Sequence, residues 1–258
     1  MAGDDSAIGR EDSAATAAAS VADALADMVL GHMTPGSSIP SEADLAAQFA
    51  VSRLTVREAV KMLAGRGLLQ LGRGRRAVVR EPDSSSFSDF LVSVIRNDPK
   101  GLFDLIELRQ MVEVQAASLA ASRASRAGVL AIESAMQAMR DTLARIESGD
   151  DRPEAELDFH TADVQFHEAV ATASGNRIIA FVYEAMTQPL RESFHLSRRG
   201  QMLRGAGRDE TVTAHQAVLD AIRAGNARAA GDAMRRHLKS TELDVRSHLS
   251  SGGAGQEG

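Results

Sequence analysis

The 258-residue sequence contains no cysteine and no tryptophan, one tyrosine, and only 3% aromatic residues. Without thiols there are no disulfides, thiolate zinc sites or cysteine nucleophiles. So few aromatics argue against a large β-sandwich or barrel. No apolar run approaches the ~20 residues a bilayer-spanning helix needs. The first thirty residues are acidic and Ala-rich, with no basic segment leading into an apolar one, so no secretory signal peptide is expected. The expectation is a soluble cytoplasmic protein with no membrane partner. What is present is 44% hydrophobic and 25% charged residues. A core of Ala, Leu, Val, Ile and Met can form, and the length allows one large domain or two ordinary ones.

The formal charge of −6 is unevenly spread. Residues 1–33 sum to −5, residues 34–80 to +5 and residues 81–258 to −6. A basic module of fewer than fifty residues therefore sits in an acidic chain. Binding to nucleic acid depends on the local field at the contact face, so overall acidity does not forbid it.

Residues 1–12 read as a disordered tail. A helix is expected over 13–31, with Val21, Leu25, Met28 and Val29 at helical spacing. After the turn-rich run Thr34-Pro35-Gly36, a short helix begins at Ser41, with Leu45 and Phe49 as its apolar positions. Ala50-Val51 forms a tight joint, and Ser52 caps a helix to about Ala64 with Val56, Val60 and Leu63 inward. Residues 68–71 and 75–80 read as a hairpin with a basic tip. Residues 81–86 are a linker by composition. Beyond it only helical periodicity appears, over about 87–97, 102–126, 128–148, 153–174, 177–199, 208–224 and 227–249, ahead of a Gly/Ser-rich tail from 250 expected to be disordered. Asp98-Pro99 and Asp150-Asp151 mark breaks, and residues 200–207 read as a Gly-rich loop. Ser174-Gly175-Asn176 and Ala224-Gly225-Asn226 each place Gly past one helix and Asn as the next N-cap. The fold class is thus mainly α: a winged helix-turn-helix over 13–80, then an all-helical bundle over 87–249.

In a winged helix-turn-helix the helix starting near Ser52 enters the major groove. Arg53, Thr55 and Arg57 lie at its N-terminus, and Arg73 and Gly74 at the wing tip suit the adjacent minor groove. The stretches Pro35-Gly36, Ile39-Pro40-Ser41-Glu42, Leu45-Ala46, Val51 through Val60 and Gly67-Leu68 resemble the GntR family of bacterial regulators. That resemblance implies DNA contacts from Ser52, Arg53, Thr55, Arg57, Arg73 and Gly74. Two departures stand out. Ala43 occupies a position where an Arg that touches bases is common, and Leu54 one that is often polar.

In the second part, Asp163 and His167 are spaced i and i+4 and share a helix face. His215 lies ten residues before Gly225, and His237 eleven after Asn226. At 1.5 Å per residue both stand roughly 16 Å from that turn, so an antiparallel helix pair would bring them level. Carboxylate and imidazole together suit zinc, nickel, manganese or similar divalent ions. His160 reads as an orienting residue or a solvent-facing one. Arg191 and His195 are candidates to line a pocket. His32 is explained by the helix C-terminus it follows, and His248 by solvent. Ser197-Arg198-Arg199 reads as a solvated helix end.

Residues 87–249 are similar to the FCD effector domain of the FadR subgroup within that family. The resemblance rests on Glu107-Leu108-Arg109 with Glu113, Asp163 through His167, Ala173 through Asn176, His215-Gln216-Ala217 and His237-Leu238. It implies a metal held by Asp163, His167, His215 and His237, and a small organic acid beside it assisted by Arg109. The expected protein is a ligand-responsive repressor that binds a palindromic DNA operator as a homodimer. The rival reading is a metal-dependent hydrolase fused to a DNA-binding module, but no residue is placed by motif as its general base.

Overall fold

A computed structural model describes residues 5–72, 74–97, 100–149 and 152–253, and the side chains of all of these except 5–15, 97, 252 and 253. Arg73 and the Asp98-Pro99 and Asp150-Asp151 breaks lie outside the described residues. The chain forms two compact units, residues 1–83 and 84–258.

The first unit contains α1 (Asp5–His32), α2 (Glu42–Gln48), α3 (Arg53–Gly65), β1 (Leu69–Gly72) and β2 (Arg75–Val79). Leu25, Leu45, Val56 and Leu63 are fully enclosed, and Val21, Val29, Leu69 and Val79 complete one core. These are the positions the helical and alternating patterns mark as apolar. Ser41 and Ser52 cap α2 and α3, the latter by accepting from Thr55 N at 3.1 Å. Between the two helices Ala50 adopts φ +53°, the only positive φ outside glycine among the described residues. β1 and β2 pair antiparallel, and Ser37 and Ile39 bond along the free edge of β2. The result is three helices and a two-stranded wing. α1 starts at Asp5, so residues 5–12, expected as tail, continue the helix.

The second unit is entirely helical among the described residues. It comprises α4 (Ser85–Asn97), α5 (Gly101–Arg123), α6 (Arg126–Glu147), α7 (Pro153–Ala173), α8 (Arg177–Leu203), α9 (Arg208–Arg223) and α10 (Ala227–Gly253). Ile132, Met136, Met139, Phe166, Leu219 and Met234 fill its centre. Met residues serve as gap-fillers there, as a core nearly devoid of aromatics requires. Gly175 and Gly225 both take positive φ after a helix. The side chains of Asn176 and Asn226 then cap α8 and α10.

Two expectations for this unit are corrected. α4 begins at Ser85, inside the expected linker, and α10 runs to Gly253, past the expected start of the tail. Gly200 is not in a loop. It lies within α8, and a Cβ there would come 1.6 Å from the backbone oxygen of Asp244 on α10. Glycine at this point marks a helix–helix approach too close for any side chain. No helix is long and apolar enough to cross a membrane among the described residues.

The Gly200 contact yields a prediction. Gly200→Ala should push α8 from α10 and destabilise the protein by about 1–3 kcal/mol, read as a lower denaturation midpoint with an unchanged slope.

Candidate effector site and DNA-contacting face

Four side chains from three helices converge in the bundle. α7 supplies Asp163 and His167 from one face, α9 supplies His215 and α10 supplies His237. The short turn through Gly225 brings the last two level, with ring centroids 4.3 Å apart. His167 Nε2 stands 3.1 Å from His215 Nε2 and 3.2 Å from His237 Nε2, and Asp163 Oδ1 is 3.1 Å from His215 Nε2. One ligand atom from each of the four lies within 4.8 Å of all the others.

The proton positions test whether this cluster fits a metal. His215 Nδ1 lies 2.8 Å from the carbonyl oxygen of Thr211, which only accepts, so that nitrogen carries the proton in the neutral ring. His215 Nε2 then turns a bare lone pair toward a carboxylate oxygen and a second imidazole nitrogen. His167 Nδ1 faces Glu113 Oε2 at 2.5 Å, a contact short but poorly aligned for a hydrogen bond. That carboxylate also favours a proton on Nδ1 and a bare Nε2. Acceptors aimed at one point repel unless a cation sits among them. Two donors about 2.1 Å from one ion and roughly tetrahedral or square stand about 3.0–3.4 Å apart. The separations here fit that spacing, so the donor set suits a divalent ion.

Electrostatics support the cluster from outside. Burial alone would raise the Asp163 carboxyl, but wherever His215 is doubly protonated its Nε2–H donates to Asp163, and that bond and the neighbouring imidazoles hold the carboxyl far below its ordinary range. Burial pushes His237 down, toward the neutral form a metal ligand needs. Glu113 is 1% exposed, and burial would raise its carboxyl, yet Arg109 and then His167 pull it down to about 2. Arg109 is equally enclosed and meets Glu113 Oε1 through Nε at 2.6 Å. One carboxylate thus neutralises the buried guanidinium and turns a cluster histidine.

A cavity of about 90 Å³ opens beside these residues. Arg109, Asp163 and His237 line it at the cluster, and Leu102, Ile106, Phe159 and Leu190 form apolar wall. The volume suits a small organic molecule rather than a long chain.

The structure sorts the sequence-derived candidates. It brings together Asp163, His167, His215, His237 and Arg109. It corrects the expectation for Arg191 and His195. Both are exposed, outside the cavity wall, and Arg191 reaches Thr161 instead. The cavity-facing positions of α8 are Tyr183, Leu190, Ser193, Phe194, Ser197, Arg198 and Gln201, so 191 and 195 fall about 100° around the helix from 190 and 194. His160 is not solvent-facing: it is 4% exposed and stacks on Phe194 with centroids 3.9 Å apart. Arg198, read as solvated, is partly enclosed and lines the cavity. Residues missed outright are Phe194, Gln201, Thr211, Thr241 and Asp244, whose only sequence signal is helical phase relative to the cluster. His32 is exposed, and His248 is half-buried.

In the first unit, the N-terminus of α3 points Arg53 and Leu54 outward, with Leu54 66% exposed. The Ser52 and Thr55 hydroxyls lie 2.8 Å apart in the cap. Arg57 forks onto Glu42, with Nη2 to Oε2 at 3.0 Å. Gly74 takes φ +65° at the hairpin turn.

A winged helix-turn-helix followed by a helical bundle whose cavity joins an apolar wall to a cluster of polar groups defines a class: a ligand-responsive transcriptional regulator. Comparison with known proteins identifies the family. Residues 17–79 match the model of the gntR family of bacterial regulatory proteins, and residues 104–240 match the FCD domain. The chain belongs to the GntR family, with an FCD effector domain, and the family's members are regulators rather than enzymes. It is 33% identical over 200 residues to the galactonate operon transcriptional repressor of Escherichia coli K12, covering 76% of this chain and 82% of that one. It is 28% identical over 213 residues to the transcriptional regulator LutR of Bacillus subtilis 168, covering 82% and 93%. Among solved structures, a Streptococcus agalactiae GntR protein superposes with a TM-score of 0.61 at 26% identity, covering 86% of this chain and 97% of that one.

The Arg109–Glu113 pair carries the prediction for this site. Glu113→Ala leaves a buried cation unanswered and should cost about 3–5 kcal/mol in chemical denaturation. The pair also sets an acid limb. A carboxyl lowered to about 2 from 4.5 contributes fully above pH 4.5, and that stability disappears as pH falls toward 2. Glu113→Gln should therefore lose stability at neutral pH and show a shallower decline over that window.

Proposed function

We propose that the chain is a repressor that binds a palindromic operator as a homodimer. A small organic acid relieves it by placing its carboxylate against Arg109 and a divalent ion held by Asp163, His167, His215 and His237. The observation that carries this reading is the meeting of four metal-type donors and a buried guanidinium at one cavity. The ion, when bound, supplies a Lewis-acidic point with positions free for a carboxylate; zinc, nickel and manganese all accept these donors. Arg109 donates to that carboxylate. Glu113 fixes Arg109 and the His167 ring, and the Thr211 carbonyl orients His215. The apolar wall keeps water from competing. The similarity to a galactonate operon repressor supports an acid as the effector and repression as the mode.

On the DNA side, the N-terminus of α3 enters the major groove with Ser52, Arg53, Thr55 and Arg57, and the wing carries Arg73 and Gly74 to the minor groove. Arg57 exchanges Glu42 for a phosphate on binding. One small module makes too few contacts alone, which favours a dimer on two half-sites. The relay begins at α8, whose residues form much of the cavity wall. α4 packs on α8, with Arg96 bound to Glu192 at 3.0 Å, and it follows the segment leading from the DNA-binding unit. An effector that favours one α8 position therefore biases the arrangement of the two DNA-binding units. Such a regulator works in the bacterial cytoplasm, where its operator is.

Two experiments test the two halves. Arg53→Ala should lose specific operator binding in fluorescence anisotropy while its melting temperature stays within a degree or two; retained specificity would remove α3 as the reading helix. His215→Ala should lose the ion, measured by elemental analysis, along with the stabilisation small carboxylates give the metal-loaded wild type in thermal shift. Equal stabilisation of verified metal-free wild-type protein would overturn the metal-assisted pocket.

A further inference from the structure

The part of the cavity away from Arg109 contains polar groups that neither the core nor the ion cluster explains. His160 stands on α7 one turn, about 5 Å, before Asp163. It is 4% exposed, lines the cavity, and neither ring nitrogen has a hydrogen-bond partner. A buried imidazole left so costs free energy that a purely structural residue would not need to bear. Its ring lies on Phe194, and Arg198 follows one turn further along the same face of α8. Arg198 Nη1 donates to Gln201 at 3.1 Å, but its buried Nε has no hydrogen-bond partner.

The carboxylates at this end are engaged elsewhere. The carboxylate nearest Arg198 Nε is Glu156, at 3.8 Å, and Glu156 is already paired with Arg208. Asp244 also lines the cavity, but its Oδ1 accepts from Arg204 Nε at 2.7 Å. Both of these carboxylates thus have another guanidinium as their closer partner. Burial lowers the affinity of Arg198 for its proton, and the Asp244 carboxylate only partly offsets it. Burial also pushes His160 down to about 4, so near neutrality its ring offers one donor and one acceptor.

We infer that the effector is a dianion: one carboxylate meets the ion and Arg109, and a second anionic group, carboxylate or phosphate, is bound by Arg198 with His160 donating beside it. The inference rests on the carboxylate pocket proposed above and specifies the class of acid that fills it. Arg198 and His160 are then the residues that separate diacids from simple monoacids. The small cavity and the one-turn offset between His160 and Asp163 favour a short diacid over a long one.

Titration calorimetry of the full-length, metal-loaded protein tests this. The probes are the dicarboxylates malonate through adipate, each against the monocarboxylate of equal chain length, and phosphoglycolate as the phosphate-bearing form. At least one dianion should bind about tenfold or more tighter than its monoanionic counterpart, as one added charge-assisted contact predicts. The carboxylate and phosphate arms distinguish the two sources of the second charge. Arg198→Gln should erase that preference, weakening dianions far more than monoacids, with metal content retained. His160→Phe, which keeps the stack on Phe194, should reduce the preference in part. Monoacids binding as tightly as every dianion would overturn the inference and leave the carboxylate pocket standing. Equal weakening of both classes by Arg198→Gln would likewise remove Arg198 as the discriminating residue. If no acid binds the metal-loaded protein, both readings fall.

Discussion

A guanidinium sealed inside a helical bundle has to be answered by a carboxylate, and the effector unit is arranged around that requirement. Arg109 and Glu113 lie one turn apart on α5, both almost fully enclosed. Removing two charges from water is costly, and a buried pair of this kind adds little net stability beyond what a well-packed apolar pair would give. Its return is in position. Glu113 divides its two oxygens between Arg109 and His167, so the same carboxylate fixes a cation at the cavity wall and turns an imidazole toward three other donors. That one residue thus ties α5 to the cluster on α7 and to the cavity wall.

The cluster adds a second constraint. Nitrogens of His167, His215 and His237 and an oxygen of Asp163 share a space in which three neutral imidazoles leave acceptors facing one another. A bound divalent ion would relieve that repulsion. Around it α5, α7, α8, α9 and α10 pack so that one wall of the cavity belongs to α8. At Gly200 that helix approaches α10 too closely for any side chain. A ligand between α8 and the cluster would therefore press on a helix that is tightly held near Gly200 and packed against α4.

Much of this was legible in the sequence because it depends on local spacing. Asp163 and His167 are one turn apart, and His215 and His237 are nearly equidistant from Gly225. Helix period and rise are fixed, so spacing alone predicted the two pairs. Ser52, Asn176 and Asn226 announced their helix starts by the chemistry of their side chains. The reading failed where phase was judged without a reference. Arg191 and His195 have the chemistry of a ligand pocket, but α8 presents 190, 193, 194, 197, 198 and 201 to the cavity. Arg198 was misread for the reverse reason: a charged run at an expected helix end looks solvated until the helix proves longer. Gly200 looked like a loop residue because glycine usually ends helices, whereas here a neighbouring backbone requires its missing side chain.

By itself the sequence determined the helices, the wing, the division into a basic reading module and a helical sensor, and the identities of the four clustered donors. These follow from periodicity, capping and charge, which act over a few residues or one turn. Only the tertiary structure decided that Glu113 serves both Arg109 and His167, that His160 is buried without a partner, and that Arg198 rather than Arg191 faces the cavity. Those outcomes depend on the rotation of each helix about its axis, and that rotation is set by the packing of all the helices together.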